Sequence, residues 1–463
     1  MIKSINKLID SYQENLENLR ELLKLPEKFE KEANIILRKQ EEFMLPILIS
    51  SYESELKKPQ ISKKIKEKIQ EKYDTVIDKY KKISPENITS EGALKINVDE
   101  DYRKTISLEK MIKEQVKLKK TISHKIHIEK ATLFNLICYL EKLLSDTTHI
   151  LLSNHPEILA LHERTISLEQ IIEIGNIADL KNHIITVEIE KMLFKSLNEF
   201  LEFFEEKIFR KKMPDIEFLK KDVVEIKERR NLIIHNGGIV NSKYLNIVDL
   251  SIIEKFKLKK DIKIPLSKEY LMESIDNIEL LGVKILLLVG LKYQDKKETA
   301  WQAIRIVYSL IRNKKFNSAE KLSKFILDES CIKNFLDVQK DYSLLNYWLT
   351  LKKQGKLELN RKDVIEYDVS SKKHLIQLCY YSLIENYTLA FPHIIPSLRD
   401  DEFDEDFYNE FPILESLRKQ KKAQDIFKEY QNERKQNKNR SFSQRKMNND
   451  VKENSINMKS NLS

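Results

Sequence analysis

At 463 residues the chain is longer than one ordinary hydrophobic core organises, so two to four structural units are expected. A third of the residues are charged and only seven are glycine, which excludes a glycine-punctuated strand-and-turn architecture and favours long solvated helices, hence an all-α fold. The formal net charge of +9, from 82 basic against 73 acidic residues, suits a polyanionic partner and a mixed-charge surface equally well.

Residues 1–163 read as an N-terminal helical region. It opens with MIKSINKLIDSYQENL, which lacks the apolar core and cleavage site of a signal peptide. The most apolar run of the chain, 285–291, is too short to cross a bilayer. Neither export nor a membrane anchor is expected, and the location implied is cytoplasmic. Pro26, Pro46, Pro59 and Pro85 are expected to begin or break helices. Residues 62–83, SKKIKEKIQEKYDTVIDKYKKI, mix Glu and Lys at four-residue spacing, the ordinary pattern of an exposed helix rather than of a nucleic-acid stripe. His124 and His127 share a helical face but have no third ligand nearby, so no metal site is expected. His149, His155, His162, His183, His374 and His393 are isolated and read as surface or satisfied core residues. Cys138, Cys331 and Cys379 are far apart in apolar helical contexts, which fits buried thiols in a reducing compartment.

A short echo, KTISLE at 104–109 and RTISLE at 164–169, extends into no longer repeat. Its second copy ends in SLEQ (167–170), where Ser and Gln stand at the spacing that caps a helix, so a new region, 164–296, is taken to begin there. Three helices are expected within it, over 179–210, 214–236 and 267–292. Pro214, Asp215 and Glu217 make a favourable first turn for the middle helix, and Gly237 with Gly238 should end it, because glycine enters the left-handed region without steric cost.

On that middle helix Ile216, Leu219, Val223 and Ile226 form one apolar stripe, and the same spacing continues to Arg230 and Ile233. An arginine on a packing face needs a partner or must line a cleft. Glu228, Asn231 and His235 form a neighbouring line, with His235 in the last turn, where the helix dipole favours a cationic imidazole. Guanidinium and imidazole close together suit a phosphodiester, since arginine offers a planar fork of donors and histidine moves protons near neutral pH.

Arg230-Asn231-Leu-Ile-Ile-His235 resembles the Arg-x4-6-His motif of the HEPN superfamily (higher eukaryotes and prokaryotes nucleotide-binding domain). The likeness to HEPN domains of bacterial phage-defence and abortive-infection proteins covers residues 164–292. It implies a helical bundle that forms homodimers, with two Arg and His sets in a shared cleft, and a metal-independent endoribonuclease, a chemistry that fits RNA because the 2′-hydroxyl is a built-in nucleophile. Cleavage of RNA, tRNA among the targets, would leave 2′,3′-cyclic phosphate and 5′-hydroxyl ends. Carried over, His235 is the proton-transfer group, Arg230 the phosphate clamp and Asn231 their positioning residue. Glu188 or Glu228 is expected to supply the carboxylate for Arg230. The resemblance equally admits a catalytically inactive dimer serving as a protein-interaction scaffold. Gly237 stands where toxin–antitoxin members often carry a modifiable Tyr, so that form of control is not expected.

Residues 297–430 show paired helical patterns and read as a tetratricopeptide-like repeat region that binds a protein partner or trigger, with Trp301 and Trp348 in its core. FYNEFPILESLRKQKKAQDIFKEY resembles the helical tail that often follows a HEPN domain. DDEFDED (400–406) reads as a solvated loop, and 431–463 as a disordered basic tail. No glycine-rich phosphate loop is present, so no nucleotide cofactor is expected.

Overall fold

Wherever apolar residues recur at three- and four-residue steps the chain is helical, and the described residues carry helices joined by short turns, with a single isolated β-bridge. The computed structural model describes residues 2–59, 62–83, 108–159, 169, 172, 174–400 and 403–436. The chain forms two compact units, one of 7–204 with 216–282 and another of 1–6, 205–215 and 283–463.

The first unit begins with α1 (Ile2–Leu22) and α2 (Leu25–Leu56). On α1, Ile9, Tyr12, Leu16 and Leu19 alternate three- and four-residue steps, and all are buried. Pro26 occupies the first turn of α2, where its missing N–H costs nothing, but α2 runs on through Pro46. That proline therefore does not break the helix as its residue type suggests. Pro59 does separate α2 from α3 (Lys63–Ile83), whereas Pro85 lies outside the described residues. The expected solvated helix is present, anchored by buried Tyr80 with Tyr73, Val76 and Ile77 against Leu45 and Ile49 of α2. Next comes α4 (Leu108–Asn154), 47 residues long. His124 on it lies beside the Phe29 ring, with centroids 5.7 Å apart.

The expected helix over 179–210 is interrupted. α5 (Ile177–Phe194) stops at Lys195, and α6 (Leu197–Phe203) starts afresh, because Ser196 and Glu199 form a reciprocal capping box. The side-chain signal for that break, Ser followed by Glu three residues on, is weaker in a helical context than the apolar periodicity around it. The proposed cap at 167–170 falls largely outside the described residues, as does the first part of the 104–109 echo. α7 (Pro214–Asn236), α8 (Ser242–Ile247), α9 (Leu250–Lys255) and α10 (Lys268–Tyr293) complete the region around the motif.

Four of these helices are tied into a bundle within this unit. The Tyr12 hydroxyl of α1 donates to the Ile278 carbonyl of α10 at 2.7 Å. Arg20 of α1, only 4 % exposed, meets Asp276 and Glu279 of α10 at 2.6 Å each. On α7 and α10, Asn277 donates to Asp222. A Cβ on Gly282 would stand 2.5 Å from the Tyr12 ring and 2.7 Å from Leu143 of α4. The missing side chain is what leaves room for the Tyr12 ring and the Leu143 side chain against α10.

The second unit holds the C-terminal half of α10, then α11 (Lys296–Arg312), α12 (Phe316–Leu327), α13 (Asp337–Lys353) and α14 (His374–Leu383), with shorter helical turns to Arg418 and a further helix over 421–436. Trp348 is buried, with Tyr367 edge-on at 5.3 Å, and Trp301 is half-buried beside Tyr342. The acidic stretch is not a loop throughout: Asp404 caps the helix Glu405–Glu410, and Glu405 pairs with Arg434 at 2.6 Å, while 401 and 402 lie outside the described residues. The first six residues expected in the tail are therefore helical, and 437–463 lie outside the described residues. Cys331 and Cys379 are buried as expected, but Cys138 is exposed, because it falls on the outer face of α4. His374 and His393 are not isolated either, since their Nδ1 atoms approach to 2.8 Å.

Gly282→Ala is expected to destabilise the protein by about 1–3 kcal/mol, because the Tyr12 ring and Leu143 cannot both retreat without strain. Urea unfolding followed by circular dichroism checks this, and an unchanged midpoint would contradict the close packing.

Candidate functional site

The motif sits on the last two turns of α7. This helix ends at Asn236, and both following glycines are left-handed, with φ of 59° at Gly237 and 83° at Gly238. The Gly238 N–H donates to the Leu232 carbonyl, and Asn236 Nδ2 donates to the Ile239 carbonyl, so the helix end is closed by its own chain.

The apolar stripe holds. Ile216, Leu219, Val223, Ile226 and Ile233 are all buried. The arginine in the middle of that face is, however, Arg229 rather than Arg230. A step of three from Ile226 reaches Arg229, a step of four reaches Arg230, and the helix places the former centrally. Arg229 is 0 % exposed. Its Nε meets Glu225 Oε1 at 2.6 Å and its Nη1 donates to the Pro265 carbonyl at 2.5 Å. The guanidinium carbon lies 3.8 Å from the centre of the Tyr270 ring and 4.8 Å from that of Phe256. Glu225 in turn accepts from the hydroxyls of Tyr244 at 2.5 Å and Tyr270 at 2.7 Å. Burial, and then the Glu225 carboxylate, push both phenols above their ordinary range, so they stay protonated and keep donating.

Arg230 is at the edge of the stripe, with its side chain 20 % exposed. Its Nη2 meets Glu141 Oε1 of α4 at 3.2 Å, and Lys227 reaches the same oxygen at 3.3 Å. The Arg230 Nε is buried without a hydrogen-bond partner. The carboxylate facing Arg230 is thus Glu141. The two expected candidates have other partners: Glu188 pairs with Lys191 at 3.0 Å, and Glu228 accepts from Asn231 at 3.4 Å. Glu141 could not be picked out from the sequence, because 89 residues separate it from Arg230 and only the packing of α4 on α7 joins them.

His235 is exposed, and no hydrogen bond to it is found among the described residues. Asn231 stands one turn before it on the same line, and the Glu228–Asn231 bond extends that line by another turn. Arg230 and His235 are five residues apart, hence about 140° around the helix and about 7.5 Å along it. A single chain therefore brings Asn231 and His235 to one face and leaves Arg230 beside Glu141 on another.

Beyond the glycines the chain pairs with a later loop. Val240 N–H donates to Ile262 O at 2.9 Å, Asp261 N–H to Val240 O at 2.9 Å, and Ile264 N–H to Gly238 O at 2.8 Å, around the bridge Ile239 to Lys263. This contact sets residues 257–263 next to the end of α7, which no periodicity in the sequence announces.

No family model, curated protein or solved structure matches this chain. The motif and its surroundings are therefore the basis for any functional reading.

Arg229→Leu should cost about 3–5 kcal/mol, since it strands the buried Glu225 carboxylate. Arg230→Leu should cost about 1 kcal/mol or less, because its partner is partly exposed to water. Urea titrations of the two variants would contradict this assignment of the buried arginine if the order were reversed.

Proposed function

We propose that the chain is a metal-independent endoribonuclease of HEPN type, working as a homodimer, with His235 as the proton-transfer group, Arg230 as the phosphate clamp and Asn231 as a positioning residue. The observation that carries this reading is the contrast between two neighbouring arginines. Arg229 is wholly buried and held by Glu225 and the Pro265 carbonyl, whereas the Arg230 side chain is 20 % exposed and, among the described residues, meets one carboxylate that is itself partly exposed. A guanidinium that reaches water beside a partly exposed carboxylate is suited to receive phosphate oxygens. His235, without a hydrogen bond among the described residues and exposed at the end of the same helix, is suited to exchange protons with a substrate.

The proposed chemistry balances without another reactant. One imidazole takes the proton of the ribose 2′-hydroxyl, and the oxygen attacks the adjacent phosphorus. The bond to the 5′-oxygen breaks, a protonated imidazole from the second copy donates to that leaving oxygen, and the products carry a 2′,3′-cyclic phosphate and a 5′-hydroxyl. Two copies are invoked because Arg230 and His235 of one chain point to different faces of α7. Ile234 and Ile239, on either side of the helix end, are exposed apolar residues, which supports self-association there. The C-terminal helices, read as tetratricopeptide-like, would bind a protein partner or trigger, and a role in phage defence by abortive infection would follow from restrained cleavage of tRNA or other RNA.

The test is RNA cleavage by purified protein and by induced cells, with sequencing of 5′-hydroxyl ends. His235→Ala is expected to lower the cleavage rate by about 10²- to 10⁴-fold, and equal cleavage by variant and wild type would remove the catalytic assignment. Glu141→Gln removes the carboxylate that competes with phosphate for Arg230. It should lower KM for RNA by about two- to fivefold, the equivalent of a partly exposed ion pair.

A second reading, an inactive HEPN dimer acting as an interaction scaffold, is favoured by the Arg230–Glu141 ion pair itself, which gives the arginine a structural task. It predicts that Arg230→Ala lowers the melting temperature and changes no RNA readout. The nuclease reading predicts the opposite pattern.

A further inference from the structure

The loop 257–263, KLKKDIK, carries four lysines against one aspartate, a formal charge of +3 in seven residues. Density alone does not single it out, since KKIKEK at 63–68 on α3 has four lysines against one glutamate and the same +3. Its place beside the candidate imidazole does, on a loop whose backbone is fixed and whose lysines are available. First, the loop is fixed: Leu258 and Ile264 at its two ends are buried, and the three backbone hydrogen bonds to Gly238 and Val240 hold it in place. Lys257 and Asp261 adopt left-handed backbone, with φ of 50° and 67°, a conformation that non-glycine residues keep only where the surroundings impose it.

Second, its lysines are available. Lys257, Lys259, Lys260 and Lys263 are exposed, and none has a carboxylate within ion-pair distance among the described residues. Neighbouring Lys255 differs, being held by Glu273 at 2.8 Å. Third, the loop is beside the candidate imidazole. Gly238, which bonds Ile264, is three residues from His235, at most about 11 Å of chain.

We propose that loop 257–263 is a backbone clamp for single-stranded RNA, holding consecutive phosphates so that the strand passes His235; the choice of RNA rests on the nuclease reading above. Lysine ammonium groups on a fixed loop contact phosphates without reading bases, which gives sequence-independent affinity with strong salt dependence. A strand that must bring its 2′-hydroxyl in line with the scissile bond has to be unpaired and bendable, and a short loop of point charges suits that better than the face of a duplex. Sequence-dependent choice of target would then come from elsewhere in the assembly.

The experiment uses the full chain carrying His235→Ala, so that binding is read without cleavage. Fluorescence anisotropy with a labelled single-stranded RNA 20-mer is followed across a salt titration. Adding Lys257→Gln, Lys259→Gln, Lys260→Gln and Lys263→Gln should weaken binding at low salt by at least about tenfold and make the salt slope shallower by about 2–3, near the 0.7 per contact expected for single strands. A matched variant with Lys63, Lys64, Lys66 and Lys68 changed to Gln on α3 should leave both nearly unchanged, and circular dichroism melting verifies that each variant folds. The proposal is overturned if the loop variant binds as the parent does, if both quadruple variants weaken binding equally, or if the loop variant loses affinity only for vesicles of phosphatidylserine. Loss of RNA binding with the loop, together with a wild type that never cleaves, would sink the nuclease reading and leave the clamp. Cleavage and binding both surviving the loop changes would do the reverse.

Discussion

The buried guanidinium of Arg229 is the constraint around which the motif region is built. A charge with no exposure to water is tolerated only where it is compensated, and here Glu225 one turn back, the Pro265 carbonyl and the rings of Phe256 and Tyr270 supply the compensation, with Nη2 left without a hydrogen bond among the described residues. Tyr244 adds a donor to Glu225, so α8 is tied into the same network as α7 and α10. Satisfying one cation thereby fixes the segment after the glycines, the loop at 257–263 and the start of α10 relative to the end of α7.

That arrangement has a chemical consequence for the next residue. With Arg229 occupying the packing face, Arg230 is displaced to its edge, where a half-buried position leaves its Nε unmatched and its Nη2 on Glu141. Adjacent arginines of the same helix are thus divided between two environments, one wholly buried and one partly exposed beside Glu141. Lys227 and Arg230 converge on the same Glu141 oxygen, so the carboxylate of α4 is held by two cations and in turn limits how far Arg230 can move. The N-terminal helices are not separate from the motif in this respect, because residues 7–204 and 216–282 share one unit.

Several features were legible before any coordinates. The helical character of the described residues follows from scarce glycine and dense charge, the stop after α7 from Gly237 and Gly238, and the buried stripe from 3,4,3 spacing. The errors share a cause as well. Pro46 inside α2, the break at Ser196 and the exposure of Cys138 each depend on which local preference wins once neighbouring helices are in place. Periodicity also cannot choose between a step of three and a step of four, and that one-residue ambiguity is what exchanged Arg229 for Arg230 on the packing face.

The amino-acid sequence by itself determined the elements: where helices run, where α7 must stop, and that a polar line of Glu228, Asn231 and His235 lies beside an apolar stripe. These are local properties, set by backbone preferences and by residues within one or two turns. Only the tertiary structure decided the partners. Glu141 for Arg230, Pro265 for Arg229 and the lysine loop beside the end of α7 are brought together across 89, 36 and about two dozen residues of chain. Such pairings depend on burial and hydrogen-bond satisfaction summed over the packed unit, and no single stretch of sequence carries that sum.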